Sequence, residues 1–476
     1  MAGFIFSILT KEGIEGVKRC ILDGTYASSV PNKKMDDEED TEDDGETQEN
    51  KASKWKQVVA AVLADYCSMR AGDNVYFLSK RKIYGVGKLI NIGRDCKYKN
   101  YISAHEIIYK EALENDDRPL KDLPPKYRWV CFFEPEQQFF KNGVDMDELL
   151  QYKPSAFKML RAFQDATFIK IDDEENRALK ECLYLKNRKS SDFFEFSPDE
   201  HNRISRLNLD DYLIDPEEVL KLEYNDEKKE INLEMLLEAW LVDKIIKDGF
   251  EGQTYDYVTH QVIASPFKPL KFIDKMDIFA YKYLEDYPDS EKPIEQYLVI
   301  ELKKDRANKD LPLQLMQYVD WISKEYAAGD YSLIKAAGVA KGFKKGIQKV
   351  LESECVRSYL SDTHPNKTSV WNDLKLYEYY LDTSGHFQIR ESNVFEKKSE
   401  IRAYLKGLGM NTTTTPIMVN GEQYKPCFKV QNSKWAFFEE IEERAKQILK
   451  SAGWEIVLID SVANKEDVKA LISKLF

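Results

Sequence analysis

Lys275-Met276-Asp277-Ile278-Phe279-Ala280 and Leu298-Val299-Ile300-Glu301-Leu302-Lys303 decide the reading of this chain. Each is a short run of apolar and β-branched residues with a charged residue at one end, the pattern of a strand. Residues two apart on a strand share a face, so Glu301 and Lys303 converge while Leu302 turns to the core. Asp277 opens the other strand. Carboxylate oxygens are the hard ligands that magnesium prefers, and a lysine beside them stabilises negative charge or orients a water. Asp277 and Glu301 as ligands of Mg2+ or Mn2+, with Lys303 as a catalytic cation, suit phosphodiester hydrolysis. A lone Glu-x-Lys at a strand end is more often a surface ion pair. The third residue and the order of the surrounding elements shift that balance.

Working outward, Leu233, Leu236, Leu237, Trp240, Leu241 and Ile245 recur at helical spacing and predict an amphipathic helix that stops near Gly249. Strands are expected over Tyr257–Ala264, Asp277–Tyr283 and Tyr297–Lys303. A helix then opens with Asp310 as N-cap and Pro312 in its first turn. A last strand follows over Leu333–Ala340. Glu238 borders the apolar stripe of the first helix and is expected to point inward; Glu234, one turn earlier, is the rival.

This order of elements, with Asp277, Glu301 and Lys303 where they stand, resembles the PD-(D/E)xK nuclease superfamily. The resemblance implies metal binding by the aspartate and glutamate, a catalytic lysine, and a further helix glutamate, Glu238. The motif's literal proline is absent from "MDIFA". Gln314-Leu315-Met316-Gln317-Tyr318 looks like the QxxxY motif of RecB-like and NucS-type nucleases, which places Gln314 and Tyr318 on a substrate-facing helix side. Lys304 and Arg306 are candidate phosphate contacts. The likeness covers about residues 231–345.

Nearer the start, "GDNVYFLSKRKIYGVGKLI" gives two β-rich runs around a basic turn, a hairpin signal. Gly85 and Gly87 suggest a close approach of backbone. The stretch is similar, faintly, to PUA/EVE-type β-barrels. That likeness implies a reader of unusual bases, with Tyr76, Tyr84 and Trp129 as stacking candidates and Lys80, Arg81 and Lys82 as phosphate contacts.

The 476 residues carry a net charge of −13, which looks wrong for a nucleic-acid binder. Ten acidic residues and no base lie between Asp36 and Glu49, leaving −13 + 10 = −3 for the rest. Residues 32–53 are therefore expected to be disordered. The seven cysteines form no CxxC pair, and the five histidines are dispersed, so neither a zinc site nor a disulfide framework is expected. No apolar run is long enough for a membrane helix, and a cytoplasmic location is expected.

The expected fold is α+β and multidomain: a PUA/EVE-like β-barrel over residues 1–150, a helical connector over 151–225, a restriction-endonuclease-like α/β nuclease core over 226–395, and a small α/β extension over 396–476. In the last, a helix over Lys434–Ser451, a strand over Trp454–Asp460 and a helix over Asp467–Leu475 are expected. The expected function is metal-dependent cutting of DNA by a homo-oligomer, in defence against phage DNA, with RNA as an open alternative. DNA repair, a non-cutting sensor and a scaffold that recruits an effector are the rival readings.

Overall fold

The computed structural model describes residues 2–8, 12–29, 48–106, 118–121, 123, 126–136, 139–159, 167–264, 274–288, 292–363, 366–392, 397–461 and 470. It divides into two units, residues 1–304 with 381–387, and residues 305–380 with 388–476. Most of the acidic run, residues 32–47, and the expected helix Asp467–Leu475 lie outside the described residues, save Ala470. The chain is mixed α+β.

The first unit opens with strand β1 (Gly3–Ser7), helix α1 (Gly13–Asp23) and strand β2 (Thr25–Ser29). Helix α2 (Gln48–Cys67) starts inside the segment expected to lack structure. The predicted hairpin follows as β3 (Asn74–Ser79) and β4 (Lys82–Leu89). Lys80 and Arg81 form its turn with φ of 48° and 64°, the left-handed conformations that a tight two-residue hairpin demands. Strands β5 (Lys97–Lys99), β6 (Tyr127–Pro135), β7 (Val144–Asp145) and β8 (Phe168–Ile171) complete the sheet. Its order is β2-β6-β4-β3-β1-β8, with β5 on β6 and β7 on β4. β8 falls in the stretch read as a helical connector, and residues 155–158 of that stretch are not helical.

The resemblance implied a closed barrel. Among the described residues the hydrogen-bonded path runs open from β2 to β8. The sheet is nonetheless curled enough for its end strands to share an interior: the Tyr26 ring of β2 meets Phe168 of β8 at 5.7 Å and stacks on Phe6 at 4.3 Å. Gly85 shows the expected close approach, since a Cβ there would lie 2.5 Å from the Tyr76 ring.

Helix α2 ties this sheet to the strands that follow. The Lys170 ammonium donates to the Ser68 carbonyl just past α2 and, at 2.7 Å, to the Val258 carbonyl. It also sits over the Phe4 and Tyr257 rings. Arg70 Nη1 donates to the carbonyls of Tyr255 at 2.8 Å and Asp256 at 3.0 Å. Lys170, buried and with its pKa lowered by that burial to about 7, and the half-buried Arg70 satisfy these backbone carbonyls and so hold the joined segments in register.

Helix α3 (Glu234–Asp248) packs against α2. It ends as expected at Gly249, whose φ is 78° and where a Cβ would come within 2.2 Å of the Gln253 carbonyl oxygen. Strands β9 (Tyr257–Ile263), β10 (Lys275–Tyr283) and β11 (Ile294–Ala307) follow in antiparallel succession. Ile278 pairs with Ile300, so the next residues along, Asp277 and Glu301, stand opposite each other.

The second unit holds helix α4 (Asp310–Glu325) and strand β12 (Ile334–Phe343), the latter parallel to β13 (Leu374–Leu381). The helix begins one position off expectation: Lys309 is the N-cap, and the Asn308 side chain accepts from the Asp310 N–H at 2.8 Å. Towards the end of the chain, Trp435–Phe438 is a strand between Phe428–Val430 and Glu455–Leu458, and the helix is confined to Glu443–Ser451. The longer helix expected over Lys434–Ser451 is thus corrected. Charged residues from Glu439 onward blur a boundary that the β-rich Trp435-Ala436-Phe437-Phe438 sets.

Candidate active site

Asp277, Glu301, Lys303, Glu238 and Glu234 come together within the first unit. Strand alternation works as expected: Leu302 is fully buried, while Glu301 and Lys303 share the opposite face. The Lys303 ammonium donates to Glu301 Oε1 at 2.7 Å and to the Leu302 carbonyl at 2.7 Å. Asp277 Oδ2 accepts from the Leu302 N–H at 2.8 Å, which pins the carboxylate beside Glu301.

The two helix glutamates flank this pair from different sides. Glu238, only 2% exposed, accepts from Gln261 Nε2 at 2.9 Å, and the same nitrogen reaches Asp277 Oδ1 at 3.3 Å. Glu234 lies 3.6 Å from the Lys303 ammonium and accepts from the Lys304 N–H at 2.8 Å. Glu238 and Glu234 are one turn apart on α3, so one helix face presents both.

The electrostatics of the pair are unfavourable as they stand. Burial, then the neighbouring Glu301 and Glu238 carboxylates, push Asp277 well above the usual carboxylate range. Burial also raises Glu301, against the pull of Lys303. Burial disfavours the Lys303 ammonium, but Glu301 beside it outweighs this and raises its pKa. Glu301 Oε2 is buried and finds no hydrogen-bond donor among the described residues. A proton shared with Asp277, a cation or a buried water would satisfy it. The donor set therefore fits a hard divalent ion held by Asp277 and Glu301. Among the described residues no three His, Cys, Asp or Glu form a ready-made metal cage.

Lys304 sits at the edge of the site, its ammonium 3.1 Å from the Asn232 carbonyl. Gln314 and Tyr318 lie in the second unit and do share one face of α4: Gln314 Nε2 donates to the Tyr318 hydroxyl at 2.7 Å, and Tyr318 is buried. Arg306, also in that unit, donates to the Phe343 carbonyl at 2.9 Å. Lys80 and Arg81 are exposed, and Arg81 pairs with Asp147 at 2.7 Å.

The aromatic stacking candidates are not available for a base. Tyr76 and Trp129 are sealed in the core, and Tyr84 is 8% exposed. The Tyr76 hydroxyl is spent on Asn176 Oδ1 at 2.7 Å. Aromatics at alternating strand positions went to the curled interior, which needs bulk.

His260, Gln261 and Asp65 were missed. His260 Nδ1 lies 2.6 Å from Glu238 Oε1, and its Nε2 lies 3.1 Å from Asp65 Oδ1. Burial works against the imidazolium, but the hydrogen bonds to Asp65 and Glu238 outweigh it and raise the ring's pKa to about 10. The available signal was the polar pair His260-Gln261 inside the otherwise apolar Tyr257–Ile263.

No protein-family model matches this chain, and no curated protein does. Among solved structures the chain is similar to a crystal structure of a repair endonuclease from Pyrococcus abyssi. That match has 22% identity over 22% of this chain and 36% of that one, with a TM-score of 0.15. It is also similar to the structure of an EndoMS–dsDNA2 complex, at 14% identity over 49% of this chain and 55% of that one, again with a TM-score of 0.15. The chain spans less than two thirds of either protein, and a likeness this shallow assigns neither substrate nor residue roles.

Proposed function

We propose that the chain is a divalent-metal-dependent nuclease of PD-(D/E)xK type that hydrolyses DNA phosphodiester bonds, with Mg2+ or Mn2+ as its ion. The observation that carries this is the convergence of Asp277, Glu301 and Lys303 around a buried carboxylate oxygen with no donor. A structural ion pair needs neither the second carboxylate nor the repulsion that comes with it.

Asp277 and Glu301 would hold the ion, which would supply Lewis-acid polarisation of the scissile phosphate and a water of lowered pKa. Lys303 places a positive charge where the phosphate gains negative charge, and holds Glu301 in place before substrate arrives. Glu238 and Glu234 bracket the site as candidate acceptors of the attacking water's proton. Gln314, Lys304, Lys80 and Arg81 are the proposed DNA contacts, while Tyr318, the fifth candidate, is buried and would act by holding Gln314. The biological setting we favour is restriction of foreign, phage-derived DNA by a cytoplasmic homo-oligomer. Repair cleavage is the nearest alternative. Among the described residues no helix is long and apolar enough to cross a membrane.

The test is incubation of the full chain with supercoiled plasmid, linear duplex and RNA, in Mg2+, Mn2+ or EDTA. Cutting of DNA that needs metal is expected. DNA left intact in both metals, at enzyme excess, contradicts the reading.

A further inference from the structure

Asp65 and His260 take no part in the phosphodiester chemistry, yet both bring charge to the edge of the site. The chain of contacts is continuous. Asp65 Oδ1 lies 3.1 Å from His260 Nε2, His260 Nδ1 lies 2.6 Å from Glu238 Oε1, and Gln261 Nε2 bridges Glu238 Oε2 at 2.9 Å to Asp277 Oδ1 at 3.3 Å. Asp65 comes from α2, packed on the N-terminal sheet, 195 residues before His260.

Resting on the nuclease reading, we propose that Asp65 and His260 are positioning residues: a carboxylate–imidazole–carboxylate bridge that fixes Glu238 and, through Gln261, the orientation of Asp277. Three features carry it. First, a core filled for stability alone would be served as well by apolar side chains, because taking charges out of water costs several kcal/mol per ion before pairing. His260 and Glu238 are buried and Asp65 is half-buried, and such groups beside a second carboxylate pair call for a reason other than packing.

Second, the backbone is bent to make the bridge. Consecutive strand residues point to opposite faces, yet His260 and Gln261 both reach Glu238. They do so because Gln261 adopts φ 52°, a left-handed conformation that a non-glycine residue holds only where its surroundings over-determine it. Third, Asp65 is not free to drift. Lys170 ties Ser68 to Val258 and Arg70 ties the same end of α2 to Tyr255 and Asp256, so α2 and β9 keep one spacing.

The test uses the full chain and single-turnover cleavage of a labelled duplex. Asp65→Ala and His260→Ala are expected to keep a cooperative melt and DNA affinity in EDTA within about twofold, while the cleavage rate falls about 10- to 100-fold, the usual effect of losing an outer-shell partner. Asp65→Asn keeps an acceptor for the His260 N–H and should recover most of the rate. Added imidazole should partly rescue His260→Ala; a merely structural role predicts neither recovery. Cleavage by both alanine variants at the wild-type rate overturns the proposal while leaving the nuclease standing. Should the alanine variants fail to fold, Asp65→Asn against His260→Gln carries the same test, with a rate loss in His260→Gln expected and its absence contradictory. If the wild type does not cut, the nuclease reading fails, and the bridge is read from histidine side-chain 15N spectra at pH 8. A doubly protonated His260 whose Nε2 signal shifts in Asp65→Asn supports the bridge. A neutral ring refutes it.

Discussion

In the N-terminal sheet, the hydroxyls of the core tyrosines are satisfied: the Tyr76 hydroxyl meets Asn176, the Tyr66 hydroxyl donates to the Trp129 carbonyl at 3.0 Å, and the rings around them are sealed, while the buried side-chain atom of its strands that lacks a partner among the described residues, Ser28 Oγ, is neutral. Around Asp277 the reverse holds. Carboxylates crowd one another, one buried oxygen lacks a donor, and a glutamine backbone is strained to hold two of them. Both regions were singled out as functional from their residue types. The contrast teaches that unsatisfied charge, rather than aromatic content, marks the place where a ligand is missing.

That contrast can be broken by substitution, and the largest expected effect comes first. Asp277→Ala or Glu301→Ala should lower metal-dependent cleavage by about 1,000-fold or more, as loss of a group acting in the transition state does. A fall of less than tenfold would move the site elsewhere. Trp129→Ala should cost about 3–5 kcal/mol of stability by emptying the core, and Tyr76→Phe about 1–2 kcal/mol by removing the buried hydrogen bond to Asn176 Oδ1. Denaturant titration measures both. Tyr76→Phe with unchanged stability but weakened DNA binding would restore the reader pocket that the packing denies.

Smaller effects separate the two regions by pH. His260 has a raised folded pKa, so its contribution to stability is fully present below its unfolded value of about 6.5 and is lost as pH rises through about 10. The stability gap between wild type and His260→Gln in urea should therefore be widest at pH 6 and narrow by pH 10. A gap independent of pH would mean a neutral ring. Asp277 also has a raised folded pKa, so the metal-free protein loses stability as pH climbs from the ordinary carboxylate range through that value. At pH 8 without metal, Asp277→Asn should melt a few degrees above wild type, as functional sites often trade stability for activity. A lower melting temperature would show the cluster to be stabilising.

The residues that could be read early were those whose partners are local. Glu301 and Lys303 are set by alternation along one strand, the Lys80-Arg81 turn by two flanking β-rich runs, and the end of α3 by Gly249. Helix α2 was hidden behind an acidic run that continues into its first residues. β8 is four residues long, Phe168-Ile169-Lys170-Ile171, in a charged neighbourhood, and its antiparallel pairing with Gly3, Phe4, Ile5 and Phe6 makes it a strand. His260 and Asp65 could not be joined from the sequence. Their meeting depends on how α2 packs against α3 and β9, and no spacing within the chain encodes that distance.

The most direct test of the central claim is the single-turnover cleavage rate of Lys303→Met beside wild type, in saturating Mg2+ on one labelled duplex. A catalytic Lys303 predicts a fall of about 100-fold or more, with DNA affinity and melting temperature little changed. An unchanged rate would reduce Lys303–Glu301 to an ordinary strand-end ion pair and contradict the nuclease assignment of this site.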